Sequence, residues 1–397
     1  MRRSNSTRRE LLGSGAALGT ALFAGCLGGG ENGTGGTTDS STSDPNTTKA
    51  TSTDESSAAS DTGGSYTVSI EPMGPVEFDE PPERWTALLP TLADMGFALG
   101  GGQTLGIQNH ARFANEAFES LPGVEFDADA IVELVGDGVP KELVYELNAD
   151  AHLLDPNLLV NWYGWDRSDV EEVRTEIGPF FGNFSRKHSS EWHDGYRYYE
   201  LYEMFELVAD VFQARPRYEA FVDLHEEMLD TIDERIPPAD QRPTALLVYP
   251  AGQEGDEFYP FRFDDGGIST KQWRELRLQD ALAGTDIEHF SGTNNSTIDL
   301  EAMLEVDPEV LLVRNYGGAS ESEFREAVVE PLQDDPVASE VRAVQDGAVY
   351  PAGYLDQGPI INFYHTEQAA LNIYPDAFEG ATLFDRERVA DIVTGDF

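Results

Sequence analysis

The chain has 397 residues, a quarter of them charged, and a formal net charge of −47 at pH 7. With 73 acidic and only 26 basic residues, it has no basic stripe that could follow a phosphate backbone, which excludes nucleic acid as a partner. Its single cysteine, Cys26, excludes an internal disulfide.

The acidic surplus points to the solvent rather than to a ligand. Removing residues 1–25, which hold four arginines and one glutamate, changes the net charge from −47 to −50. Such a globule repels itself in dilute buffer, whereas at molar salt the Debye length falls to about 3 Å and the repulsion is screened. With few lysines among its basic residues, the composition resembles that of proteins from salt-loving archaea, so we expect a halophilic protein.

Residues 1–25 are typical of an export signal. Arg8 and Arg9 precede an apolar stretch at 11–23, which is shorter than the roughly 20 residues of a membrane span and indicates the twin-arginine route. The following Phe-Ala-Gly-Cys sequence resembles a lipobox, which predicts that Cys26 is lipidated; the alternative is a spare thiol in a signal cut elsewhere. We therefore expect a protein on the extracellular face of the cell membrane, attached through its lipid anchor alone.

Residues 26–65 are predicted to be a flexible tether. Gly, Ser, Thr and Asp dominate this segment, and it has almost no large apolar residue with which to form a core. The remaining 330 or so residues suffice for two domains of ordinary size.

The rest of the chain predicts an α/β fold of two lobes, each with a mainly parallel sheet flanked by helices and with a cleft between them. Short apolar runs alternate with amphipathic segments, which favours parallel strands joined by helices. The predicted units are a first lobe at 66–214, a linking helix at 215–237 and a second lobe at 238–397. The predicted strands are 85–89, 104–107, 151–154, 244–249, 307–313 and 347–350, and the predicted helices are 92–99, 141–147, 167–177, 273–282, 300–305, 321–329 and 360–372, with a long loop at 250–269.

The linking helix has the strongest periodic pattern in the chain. From Pro216 to Ile236, apolar residues recur at steps of three and four and form one stripe. Proline suits the first turn of a helix, and Pro237-Pro238 ends it. About 20 residues give a helix of roughly 30 Å, long enough to join two lobes.

Several segments resemble the helical-backbone solute-binding proteins that serve iron-siderophore and cobalamin importers. Residues 81–88 with 97–102 resemble that family's opening strand and helix. Residues 298–301 with 307–313 are similar to its second-lobe signature, and residues 335–338 with 343–350 to its closing strand. The resemblance covers residues 66–376, although the stretch 180–202 is longer and more aromatic than expected of the family.

The resemblance implies a binding protein rather than an enzyme, with no cofactor. It would deliver a small ligand to the permease and ATPase of an ABC importer. A ferric siderophore or related Fe(III) chelate is the first expectation. Cobalamin or haem bound by the same fold is an alternative.

Ligand contacts are expected in loops that follow strands, because such loops line the cleft of two facing α/β lobes. Arginine presents fixed donors for the oxygens of an anionic chelate, and aromatic rings can stack on it. The candidates are Tyr259, Arg262, Arg314, Tyr316 and Tyr354 in the second lobe, and His110, Trp162, Tyr163 and Trp165 in the first.

Two other readings stay open. The seven histidines show no His-x-His or His-Glu-x-x-His spacing, so direct binding of a free divalent metal is an alternative with weak sequence support. His225 lies on the apolar stripe of the linking helix and is predicted to be a core residue. A secreted hydrolase with paired carboxylates is the alternative of another class, although neither a Gly-x-Ser-x-Gly elbow nor a phosphate loop is present.

Overall fold

The computed structural model describes residues 64–108, 113–186, 191–193, 195–252, 255–264, 267–291, 294–316 and 318–397. The predicted export signal, Cys26, most of the tether and His110 lie outside the described residues. The described residues from 64 onward belong to one compact unit.

The described strands alternate with helices along most of the chain. The strands are β1 (Tyr66–Ile70), β2 (Gly74–Phe78), β3 (Trp85–Ala87), β4 (Gly106–Ile107), β5 (Val132–Glu133), β6 (Ala151–Leu153), β7 (Thr244–Pro250), β8 (Glu257–Phe261), β9 (Gln279–Asp280), β10 (Ile298–Asp299), β11 (Val310–Val313) and β12 (Val349–Pro351). The α-helices are α1 (Pro90–Ala98), α2 (Asn115–Glu119), α3 (Lys141–Leu147), α4 (Asn157–Trp162), α5 (Arg167–Glu176), α6 (Leu201–Val211), α7 (Arg215–Arg235), α8 (Lys271–Glu275), α9 (Leu300–Val306), α10 (Glu321–Phe324), α11 (Glu330–Asp334), α12 (Arg342–Gln345), α13 (Pro359–Ile373), α14 (Pro375–Phe378) and α15 (Arg386–Thr394).

The first lobe contains a short parallel sheet. Strand β3 pairs with β6, and β4 pairs with β5. Hydrogen bonds from Leu105 N to Trp85 O (2.8 Å) and from Gln108 N to Leu88 O (3.0 Å) join the two pairs. Trp85 and Ala87 contribute to one hydrophobic cluster and Leu88 to another, so apolar side chains are buried on both faces of the sheet. This is the burial pattern of a parallel sheet covered by helices on both faces.

The second lobe contains a mixed sheet in the order β10-β8-β7-β11-β12, with β9 also paired to β7. Strands β7, β11 and β12 are parallel, and β8 runs antiparallel to β7. Along β11, Val310 and Leu312 face one hydrophobic cluster, and Leu311 and Val313 face the other. Both faces of this sheet are therefore buried as well.

Helix α7 contacts both lobes. Its buried Phe221 packs edge to face on Phe205 of α6, with ring centroids 5.6 Å apart. Four residues further along, His225 hydrogen-bonds through Nε2 to Glu275 of α8 at 2.5 Å. The linking helix is thus confirmed, from Arg215 to Arg235, and His225 is buried on its apolar face as predicted.

Helix α13, which follows the second sheet in the chain, returns to the first lobe. It packs against α1 and α2 as well as against α8. Asp94 of α1 accepts backbone N–H bonds from Ile360 (3.2 Å) and Ile361 (2.9 Å) in the first turn of α13. The lobes are therefore joined by a second packed helix in addition to α7.

Two predicted segments differ from the structure, and one long helix was missed. The loop expected at 250–269 contains β8, which forms because Glu257–Phe261 pairs with β7 as a hairpin partner. The helix expected at 273–282 ends at Glu275, and β9 follows because Gln279 and Asp280 pair with the start of β7. Helix α6 was not predicted, although Glu200 and Glu203 form a capping box at its start.

Candidate functional site

The carboxyl ends of the two sheets meet at a buried group of polar side chains. We call Thr91, Arg186, Arg314 and Asp356 the interlobe cluster. Arg186 Nη1 donates to Asp356 Oδ2 at 3.1 Å, and Thr91 Oγ1 donates to Asp356 Oδ1 at 3.4 Å. Thr91 and Arg186 belong to the first lobe, whereas Asp356 follows β12 of the second. The cluster therefore links the strand ends of both lobes.

Backbone hydrogen bonds fix this junction next to the cluster. Ile268 N donates to Ser185 O at 2.8 Å, and Ser269 N donates to Arg186 O at 3.0 Å. Gly267 precedes this contact with φ +81°, and a Cβ there would lie 2.6 Å from Ser185 O. Only glycine fits this approach without a shift of backbone, so the sequence itself specifies how closely these two segments come together.

Arg314 directly follows β11 and is fully buried, with 0% of its surface exposed. Its Nη1 donates to Tyr354 O at 2.9 Å and its Nη2 to Ser269 O at 2.7 Å. The guanidinium carbon lies 5.0 Å from the centroid of the Phe261 ring. Burial lowers the pKa of Arg314 to about 9, with Asp356 opposing the shift and Arg186 adding to it. Arg314 remains charged at neutral pH because this pKa is still above 7.

The interlobe cluster carries more positive than negative charge. Two guanidinium groups share the one carboxylate of Asp356, and Nε of each arginine has no hydrogen-bond partner in the described part of the chain. An excess positive charge in a desolvated site attracts anions more strongly than the same charge in water. In a chain with net charge −47, this group is a local exception that favours an anionic ligand.

The other predicted arginine has a different environment. Arg262, half-buried after β8, donates through Nε to Ile287 O at 2.9 Å and through Nη2 to Thr285 O at 3.0 Å. Its side chain thus stabilises the turn at 285–287. Its contribution to ligand binding stays a prediction.

The three candidate tyrosines of the second lobe are half-buried. Tyr259 lies within β8, and its ring packs on Phe290 with centroids 4.3 Å apart. Tyr316 packs on Phe324, and burial raises its pKa, with Tyr249 adding to the shift. The hydroxyl of Tyr354 accepts from Gly318 N at 3.2 Å, while its carbonyl binds Arg314.

The predicted aromatic loop of the first lobe is instead partly helical. Trp162 is the last residue of α4, because Asn157–Trp162 forms a helical turn after β6, and it is 41% exposed. Tyr163 is half-buried and donates to Gln108 Oε1 at 2.7 Å. Trp165 is 7% exposed, and its indole N–H donates to Val139 O at 2.8 Å. Of the three, Trp162 offers the most accessible ring.

The aromatic stretch 180–202 packs beside Trp162. Trp162 and Phe184 meet edge to face at 5.2 Å, and His193 stacks on Tyr196 at 4.4 Å. Tyr196 donates to Asp155 Oδ2 at 2.6 Å, which attaches the stretch to the end of β6. These residues form an aromatic wall at the carboxyl edge of the first sheet.

Arg186 and Asp356 were not among the candidates from the sequence. Arg186 lies within the stretch that departs from the resembled family, so its position relative to a strand end was not apparent. Asp356 is one of 73 acidic residues, and nothing in its local pattern sets it apart. The structure shows the reason for the position of Arg186, since Phe180 bridges to β6 and places the following residues at the sheet edge.

Among the described residues, no group of three or more His, Cys, Asp or Glu side chains is placed to hold a metal ion. Within the same residues, no helix has the length and apolarity needed to cross a bilayer.

The fold is similar to solved structures of binding proteins. Nickel-bound CeuE from Helicobacter pylori has 14% identity and a TM-score of 0.55, over 83% of this chain and 96% of that one. The iron-uptake ABC transporter substrate-binding protein PiuA from Streptococcus pneumoniae has 15% identity and a TM-score of 0.53, over 77% and 98%. The catecholate-siderophore binding protein VctP from Vibrio cholerae has 13% identity and a TM-score of 0.51, over 78% and 99%. At these identities the likeness shows the fold.

No curated protein matches the chain. The family model described as periplasmic binding protein matches residues 152–353, about half of the sequence. The match begins in β6, includes Arg186 and Arg314, and ends just after β12. The chain belongs to the periplasmic binding protein family.

Proposed function

We propose that this protein is the substrate-binding component of an ABC importer and that its ligand is an anionic Fe(III) chelate. Family membership and the two-lobed fold support a binding role. The positive excess of the interlobe cluster is the observation that carries the choice of an anionic ligand.

The electrostatic argument rests on burial. Arg186 is 8% exposed and Arg314 is fully buried, so water does little to screen either charge. Asp356 pairs with Arg186 and acts electrostatically on Arg314, and its single negative charge neutralises one of the two. A catecholate, carboxylate or other anionic oxygen that reaches Arg186 would therefore gain a charge-assisted hydrogen bond.

The aromatic argument concerns the rest of the ligand. Small-molecule sites are mostly apolar and aromatic, with a few polar groups that fix orientation. Trp162 and the aromatic wall follow strand ends of the first lobe, and Tyr316 and Tyr354 follow those of the second. These rings would pack against the organic part of a chelate, while Arg186 and Arg314 set the preferred charge.

Two of the similar structures support the class of ligand. PiuA is an iron-uptake protein and VctP binds catecholate siderophores, whereas CeuE was solved with Ni(II). By this analogy we propose a permease and an ATPase as partners. Cobalamin, haem and free metal ions remain alternatives that a binding experiment separates.

Attachment to the membrane is proposed from the sequence alone. Arg8 and Arg9 favour twin-arginine export, and Cys26 follows the apolar stretch as a lipid-anchor residue would. Replacing Cys26 with serine should release the protein into the medium. Unchanged membrane association of Cys26→Ser would contradict the lipid anchor but would leave the binding function untouched.

The binding function is tested by equilibrium dialysis in molar salt. Each of a ferric tris-catecholate, a ferric tris-hydroxamate, cobalamin, haem, free Fe(III) and free Ni(II) is dialysed against the protein, with the iron-free catecholate as the control. We expect retention of a ferric chelate, weaker retention of its iron-free form and no turnover of either. Retention of cobalamin or haem alone would identify that molecule as the ligand in place of a ferric chelate. Hydrolysis without retention would favour a secreted hydrolase.

A further inference from the structure

A small cavity lies within the second lobe, on the side of α8 and α13. Its volume is about 150 Å³, and its wall is formed by α8, α13 and the chain that follows β12. All of its lining residues fall between 272 and 372, so it is built without the first lobe. It could hold a ligand of several heavy atoms, since a water molecule occupies about 30 Å³ in the liquid.

Three buried side chains in this wall carry nitrogen atoms without a partner. Gln272 is 0% exposed, Trp273 is 2% exposed and His365 is 8% exposed. Gln272 Nε2, Trp273 Nε1 and both ring nitrogens of His365 have no hydrogen-bond partner in the described part of the chain. A buried polar atom without a partner costs free energy, so four of them around one cavity indicate that a ligand or solvent satisfies them.

The free groups are mainly donors. The indole N–H of Trp273 can only donate. Gln272 uses its Oε1 to accept from Gln357 Nε2 at 2.7 Å, which leaves its Nε2 donors for the cavity. Burial lowers the pKa of His365 to about 4, and Arg314 adds to the shift, so the ring is neutral at pH 7 and supplies one N–H.

The side chains that line the cavity carry no negative charge. None of the lining residues is Asp or Glu, although 73 of the 397 residues in the chain are acidic. Burial and the positive charge of Arg314 lower the pKa of His365. Burial and the charges of Glu116 and Glu367, by contrast, raise the pKa of Tyr364. Unpartnered donors beside the positive charge of Arg314 favour an anion over a cation at this part of the wall.

We propose that this cavity is a binding site for a small monovalent anion, a carboxylate or oxyanion of the size of acetate or nitrate, held by Gln272, Trp273 and His365. The apolar part of the wall, including Ala352 and Ala369, would pack against the methyl group of acetate. Arg314 of the interlobe cluster acts on this site through His365, but the proposal does not depend on the proposed transport function.

Trp273 supplies a direct probe. The chain has five tryptophans, and Trp273→Phe identifies which indole ¹⁵N resonance belongs to Trp273. The full mature chain is titrated with acetate or nitrate at constant ionic strength, with sodium gluconate as the background salt because its anion is too bulky for the cavity. We expect the Trp273 resonance to shift and saturate while those of the other four tryptophans stay in place.

Acetamide is the matched neutral ligand, because it has the shape of acetate without the charge. We expect it to bind at least about tenfold more weakly than acetate, since hydrogen bonds to charged groups are stronger. Equal binding of the two would overturn the claim that the site selects anions. No saturable shift of Trp273 with acetate or nitrate would overturn the site itself.

Two variants test the donors. Gln272→Glu keeps the acceptor for Gln357 but places a carboxylate in the wall, so it should abolish the shift. His365→Phe keeps a ring against Gly353 and removes the N–H, so it should weaken binding about tenfold. If Gln272→Glu does not fold, the His365→Phe variant alone tests the donors. Parental affinity for acetate in a folded His365→Phe variant would show that His365 does not belong to the site.

Discussion

Arg186 and Asp356 lie 170 positions apart in the chain and form an ion pair of 3.1 Å whose side chains are only 9% and 4% exposed. The pair joins the strand ends of the two lobes. Because buried ions are costly unless they are paired, each member depends on the other for its place in the fold. This dependence makes the pair both a structural link and a charged part of the site.

Removing one partner of this pair should therefore destabilise the protein more than removing both. Arg186→Met leaves the Asp356 carboxylate buried without its ion-pair partner and should cost about 3–5 kcal/mol of unfolding free energy. The double variant Arg186→Met/Asp356→Leu should recover much of that loss. Denaturant unfolding in molar salt measures both, and additive losses in the double variant would show that the two residues are not coupled.

The two tryptophans near α4 should separate binding from stability. Trp162 is 41% exposed, so Trp162→Ala should weaken chelate binding several-fold and leave thermal stability nearly unchanged. Trp165 is 7% exposed and hydrogen-bonded to Val139, so Trp165→Ala should cost about 3–5 kcal/mol of stability. Titration and unfolding of both variants give the comparison. Parental affinity in Trp162→Ala would place its ring outside the site.

The sequence specified the fold much better than the site, and particular residues show why. The stripe from Pro216 to Ile236 predicts α7 to within a residue because its periodicity is local. Arg186 and Asp356 become neighbours only when two sheets pack together, which no local pattern encodes. Trp165 shows a second kind of error. Its position in a predicted loop indicates an exposed ring, whereas the packing of the fold buries that ring.

Strand β8 shows the same limit within one lobe. Its alternation of polar and apolar residues is interrupted by Pro260, and glycine and aspartate surround it, so the segment looks like a loop. It becomes a strand because β7 offers a free edge along Leu247–Pro250. Tertiary context overrides local propensity in such a strand.

Glu275 should make the stability of the protein depend on acid pH. Burial raises the pKa of Glu275, but the hydrogen bond from His225 and the charge of Lys271 outweigh it and hold the pKa at about 2, below the ordinary value of 4.5. A carboxyl group with a depressed folded pKa stabilises the fold above pH 4.5, and this contribution is lost as the pH falls through about 2. In Glu275→Gln, that part of the acid-induced loss should be absent. Unfolding curves of the two proteins between pH 2 and 6 in molar salt provide the measurement, and parallel acid profiles would contradict the assignment.

The net charge of −47 should make folding depend on salt. Below molar salt the Debye length increases and repulsion between surface carboxylates grows, which disfavours the compact state. We expect circular dichroism to show loss of structure as sodium chloride is lowered from molar concentration toward 0.1 M. A fully folded chain at 0.1 M would show that surface repulsion does not limit its stability.

The central claim is that the site prefers an anionic ferric chelate, and the most direct measurement compares two chelates that differ in charge. Three catecholates give an Fe(III) complex a net negative charge, whereas three hydroxamates give a neutral one. Dissociation constants for both complexes are measured by tryptophan fluorescence quenching at constant molar salt, for the parent and for Arg186→Met, in which Arg314 and Asp356 leave no positive excess. We expect the parent to bind the catecholate complex at least about tenfold more tightly, and Arg186→Met to lose most of that preference. Equal affinity of the parent for the two complexes, or binding of neither, would contradict the account.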